Sequence, residues 1–127
     1  MAYQKLCDKF GESNVVRQYS DDVRYPFNCD FYIPAYDLFI EYNGSWTHGK
    51  HKFDANNPHD TEVVESWKAK NKKYYDVAVY VWTVNDIRKF EAVERNKLNY
   101  VAVYNMNELD EWIRNFSNDQ TQHIRQH

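Results

Sequence analysis

Asp30 and Glu41 stand eleven residues apart, and His48 and His51 follow within ten residues of Glu41. Two carboxylates that neighbouring strands bring together make a hard, oxygen-rich site suited to Mg²⁺, with Mn²⁺ as a substitute. An imidazole beside them adds a group that moves protons near neutral pH. These are the parts needed to hydrolyse a phosphodiester. Asp30 taken alone fits a surface position on an edge strand equally well. Glu41 is harder to dismiss, because it interrupts Leu38-Phe39-Ile40, where a charge is costly to bury without a partner. Gly44 lets the chain turn sharply after Glu41 and approach a ligand closely. The His pair could instead be half of a zinc site, but the remaining ligands would be Cys29 or His59, at a spacing unlike structural zinc motifs. Asp86, with Arg88 and Lys89 close behind, fits a helix-start residue satisfying backbone donors. It also fits a site residue at the end of a buried strand.

The elements that must position these groups follow from periodicity. Tyr3, Leu6, Cys7 and Phe10 predict a first helix over 3–10 that stops at Gly11. Val15 to Tyr19 predicts a short strand, and Ser20-Asp21-Asp22 a polar turn. Phe27 to Ile33 and Leu38 to Tyr42 predict two strands joined by the turn Pro34-Ala35-Tyr36-Asp37. Residues 44–60 have no apolar period and predict a long ordered loop of the functional kind. Thr61 is placed as the cap of a helix running to about Tyr75. The unbroken apolar run Val77 to Trp82 predicts a strand buried on both faces. Thr83 or Asn85 then caps a helix to about Lys97, Val101 to Tyr104 forms a last strand, and Leu109, Trp112, Ile113 and Phe116 a final helix. The expected fold class is α/β, a mixed sheet flanked by helices, with which the restriction-endonuclease-like architecture is one compatible option. One domain over 1–117 is expected, with a frayed polar tail over 118–127.

At 127 residues the chain is long enough for a single core. Three Gly and three Pro argue against a flexible linker. A net charge of −3 disfavours a generic electrostatic nucleic-acid binder but permits an enzyme with a local basic face. Lys50 and Lys52, then Lys68 and Lys72 with Lys70 and Lys73 between and beside them, are the candidates for phosphate contact. Lys68 and Lys72, four apart, are expected on one helical face, with Lys70 turned away. Trp46, Phe53 and Trp67 are expected to pack rather than stack on bases. Two cysteines without metal-ligand spacing suggest a reduced, intracellular protein. No apolar run approaches a membrane span, and the first residues are not a secretion signal, so a cytoplasmic protein is expected.

The block Tyr25-Pro26-Phe27-Asn28-Cys29-Asp30-Phe31-Tyr32-Ile33-Pro34, then Asp37 to Gly44, then Trp46 to Asp54, resembles phage-encoded proteins described as homing endonucleases. Trp67-Lys68, Val81-Trp82-Thr83 and Asn96-Lys97-Leu98-Asn99-Tyr100 extend the resemblance over about residues 3–115. Those proteins are similar to the very-short-patch-repair mismatch endonucleases, the EDxHD branch of the PD-(D/E)xK superfamily. The resemblance implies a Mg²⁺-dependent endonuclease that nicks or cuts duplex DNA. It implies that Asp30, Glu41 and the Tyr42 carbonyl hold the metal, that His48 is the general acid or base, and that Asp86 is the final aspartate of the set. His51 is a second candidate for orienting His48 or a water. Asn43 stands where the superfamily has lysine and the repair enzymes have histidine. The N-terminal glutamate has no match: spacing lands on Gln4, and Glu12 is the nearest acid. Those two departures leave room for a nucleic-acid-binding or regulatory module with a degraded site. An RNase on the same scaffold is a further alternative, and a chain this small without a recognition module is expected either to form a homodimer or to bind with modest specificity.

Overall fold

A computed structural model describes residues 1–116, so the expected tail lies outside the described residues. The order is α1 (Ala2–Phe10), β1 (Val16–Tyr19), β2 (Cys29–Ile33), β3 (Leu38–Tyr42), α2 (Pro58–Ala69), α3 (Lys73–Tyr80), α4 (Asp86–Asn96), β4 (Asn99–Val103) and α5 (Met106–Asn115). The four strands form one sheet in the order β1-β2-β3-β4. β1 pairs antiparallel with β2 and β2 with β3, and β4 lies parallel to β3 with Glu41 opposite Ala102. The fold is therefore an α/β mixed sheet flanked by helices.

The two faces of the sheet bury different sets of side chains, because successive strand residues point to opposite sides. On one face Phe31, Ile33, Leu38, Ile40, Val101 and Val103 pack against Ala2 and Leu6 of α1 and Leu109 of α5. On the other, Phe39 and Tyr100 pack against Phe90, Ala92 and Val93 of α4, joined by Cys29, which departs from the alternation where the β2–β3 pairing ends at Phe31. The β2–β3 turn is closed by Asp37 in the left-handed region (φ 49°), a conformation aspartate tolerates. The Arg24 guanidinium holds the Asp37 carboxylate at 2.7 and 2.9 Å. It also lies 2.9 Å from Asp22, whose carboxyl its hydrogen bonding holds down to about 2.

Three expectations need correction. The apolar run Val77 to Trp82 is not a strand: α3 passes through a π turn, Val81–Asn85, directly into α4. Ala78, Trp82, Asp86 and Phe90 are the buried positions, four apart, whereas Val77 and Tyr80 are half exposed. A one-sided burial of this period suits a helix and overrides the β-propensity of Val, Tyr and Trp. No cap is needed at Thr83 or Asn85, and the Thr83 hydroxyl instead donates to the Val79 carbonyl at 2.6 Å. Second, Asn57 rather than Thr61 caps α2, accepting from the N–H groups of His59 and Asp60 with Pro58 in the first turn. The loop after β3 is accordingly shorter than expected and contains a 3₁₀ turn over Trp46–His48. Third, α2 ends at Ala69 and Lys72 precedes α3, so Lys68 and Lys72 do not share a helix face.

Candidate active site

Beyond the Phe31–Ile40 pair, the β2–β3 ladder gives way to an exchange between side chain and backbone. The Asp30 N–H donates to Glu41 Oε1 at 2.9 Å, and the Tyr42 N–H donates to Asp30 Oδ2 at 2.8 Å. The two carboxylates are thereby held at one end of the sheet, each fixed by the main chain of the other strand. Their environments differ. Asp30 is half-buried and lines a cleft of about 370 Å³ with Tyr42, Arg17 and Gln18. Glu41 is only 2 % exposed. Its Oε2 accepts from the Tyr25 hydroxyl at 2.5 Å and lies 3.4 Å from Lys89 Nζ. Burial pushes the Glu41 carboxyl above the ordinary glutamate range; Lys89 opposes that, and the negative charge of Asp30 adds to it.

His48 closes the 3₁₀ turn after β3, where the Ser45 side chain caps the turn and Gly49 continues in the left-handed region. The turn delivers His48 Nδ1 to Asp86 Oδ2 at 2.7 Å, across a sequence separation of 38. Asp86 is 3 % exposed, and its other oxygen, Oδ1, is buried without a hydrogen-bond partner among the described residues. With Nδ1 engaged by the carboxylate, the Nε2 edge of His48 is the one left for chemistry. Asn43 is buried, and its side chain is hydrogen-bonded to the Tyr104 hydroxyl. Burial pushes that hydroxyl up to about 12, with the charge of Asp86 contributing. Asn43 therefore ties the end of β3 to Tyr104, the residue that follows β4.

His51 forms a second pair: its Nε2 lies 2.7 Å from Oδ1 of Asp60, which is completely buried. The zinc alternative gains nothing. No group of three His, Cys, Asp or Glu side chains among the described residues could hold a metal ion. The Cys29 thiol is buried between the Phe31 and Ile40 carbonyls, and burial raises its pKa far from thiolate formation. His59 is exposed. No carboxylate of α1 lines the Asp30 cleft, where Met1, Ala2 and Tyr3 stand. Gln4 bonds Asp8 on the helix surface, and Glu12 is exposed.

Lys50 and Lys52 are exposed on the loop beside His48, Lys52 with its ammonium 4.8 Å over the Phe90 ring. Lys68 pairs with Glu65 at 3.5 Å, and Lys72 is exposed before α3. Trp46 stacks edge-on to Trp67, and Phe53 to Trp82, as packing residues would. Tyr25, Lys89, Asp60 and Tyr104 were not singled out by the sequence. Lys89 carried a usable signal, three positions after Asp86 and so on the same helical face.

No protein family, curated protein or solved structure matches the chain. Among the described residues no helix is long and apolar enough to cross a membrane.

Proposed function

We propose that the chain is a metal-dependent endonuclease acting on duplex DNA. The observation that carries this reading is the 2.7 Å pair of His48 with the buried Asp86, whose helix also brings Lys89 to 3.4 Å from Glu41. Hydrolysis adds water across a P–O bond, so one proton leaves the water and one reaches the departing oxygen. His48 serves one of these transfers through Nε2, while Asp86 holds the ring and stabilises its protonated form. Mg²⁺ needs only one or two carboxylates and keeps several waters; Asp30 lines the open cleft, whereas Glu41 would have to release Tyr25 or Lys89 to reach the ion. Asp30 and Glu41, with the Tyr42 carbonyl, would hold it, and Mn²⁺ would substitute. Once bound, the ion would supply Lewis-acid stabilisation of the charge that builds on phosphorus. Asn43, where the resembling families carry a base, holds Tyr104 rather than transferring protons. Lys89 supplies the positive charge beside Glu41. Lys50, Lys52, Lys68 and Lys72 are the proposed phosphate contacts, the cytoplasm the site of action, and a homodimer the form that would span a two-fold DNA site.

A second reading has its own support: Glu41 is already saturated by Tyr25, Asp30 and Lys89, as in a scaffold that binds nucleic acid without cutting it. Plasmid cleavage separates the two. With Mg²⁺ or Mn²⁺ the wild type should nick or linearise supercoiled DNA, with EDTA it should not, and Asp30→Ala should be inactive. A folded wild type that retains DNA yet gives no metal-dependent product on DNA or RNA would leave the binding module.

A further inference from the structure

Asp60 has no place in the chemistry proposed above, yet it is a carboxylate with no exposure at all. A buried carboxylate needs partners, and both of its oxygens have one. Oδ1 takes the His51 imidazole at 2.7 Å, and Oδ2 accepts from the Asp54 N–H at 3.0 Å. The first turn of α2, where Asp60 lies, favours its negative charge. Both partners belong to the loop that carries His48, so one helix side chain grips that loop at two points. The grip is reinforced from the π turn. The Trp82 indole donates to the His51 carbonyl at 2.8 Å, and a Cβ at Gly49 would lie 2.1 Å from the Trp82 ring. Gly49 and Lys50, the two residues between His48 and the gripped segment, both have positive φ, 70° and 73°. Such a connection has few alternative paths, so the position of His51 dictates where His48 sits.

We propose that Asp60 is a positioning residue: through His51 it latches the loop in the one conformation that brings His48 Nδ1 to Asp86. The inference rests on the nuclease reading for its consequence in catalysis but not for its geometry. Misplacing a proton-transfer group by about 1 Å can reduce rate by two orders of magnitude. Loss of the latch should therefore lower turnover about 10–100-fold while leaving DNA affinity within about twofold. Asp60→Asn keeps an acceptor for the Asp54 N–H and an amide for His51, and should recover most of the loss.

The test needs a readout at His48 itself. In the free protein, the His48 Nδ1–H engaged by Asp86 should give a slowly exchanging, downfield imidazole resonance, assigned by its disappearance in His48→Gln. It should persist in Asp60→Asn and vanish in Asp60→Ala and His51→Ala. His51 is half-exposed, so His51→Ala tolerates folding even if Asp60→Ala does not. An unchanged His48 signal in folded His51→Ala would overturn the latch. A signal lost as expected, from a wild type that never cleaves DNA, would uphold the latch and sink the nuclease reading.

Discussion

Lys89→Met removes the charge 3.4 Å from Glu41 and keeps most of the aliphatic stem. At that distance an effective dielectric of 20 gives an attraction of about 5 kcal/mol. Part of this returns, because Lys89 no longer has to be desolvated, and Glu41 retains the Tyr25 hydroxyl and the Asp30 N–H. A net destabilisation of about 2–3 kcal/mol at pH 8 is expected, or about 1–2 M in urea midpoint for a domain of this size. The pH dependence gives the sharper test. Glu41 has a raised folded pKa, so its contribution to stability is fully present below its unfolded pKa and is lost as pH rises through the folded one. Lys89 limits that loss. Without it the Glu41 pKa rises further, so the variant should fall increasingly behind wild type as pH climbs and rejoin it toward pH 4. Urea titrations of both proteins at several pH values read this directly. A gap constant from pH 5 to pH 8 would refute the charge argument and leave Lys89 a packing residue.

His48→Ala should reduce turnover about 10²–10⁴-fold with little effect on DNA affinity, measured by single-turnover cleavage and fluorescence anisotropy; comparable losses in both would make it a binding residue. Gly49→Ala puts a Cβ against Trp82 in a left-handed backbone conformation. It should lose about 2–4 kcal/mol in thermal or urea unfolding, from strain and overpacking together. Lys68→Ala on α2 and Lys72→Ala in the link before α3 should each reduce the slope of log affinity against log salt by about one and add without coupling; an unchanged slope in the double variant would move the DNA face elsewhere.

The β2–β3 hairpin was legible because alternation, the Pro34 turn and the misplaced charge of Glu41 are all local features. The pairing of His48 with Asp86 was not, since 38 residues of loop and helix intervene; it entered through the resemblance, and the geometry places the two side chains together. The run Val77 to Trp82 misled because its residues favour strands, although the four-residue period Ala78-Trp82-Asp86-Phe90 was present in the same stretch. Asp60 was invisible for a different reason. An aspartate in the first turn of a helix is ordinarily a solvated dipole partner, and only the return of the loop over α2 buries it.

The π turn at Val81–Asn85 holds one residue more than a regular helix requires, with the Asp86 N–H donating to the Val81 carbonyl. Its effect is one of phase. Within it, Trp82 is keyed to the His48 loop; after it, Asp86, Lys89 and Phe90 are keyed to His48, Glu41 and Tyr100. Each residue of an α-helix turns the chain by about 100°. Removing a residue from the regular turn that follows, between Asp86 and Lys89, would rotate Lys89 and Phe90 together off their targets. The extra residue thus acts as a spacer between two separately registered halves of one helix. Along this segment, length is as tightly specified as residue identity.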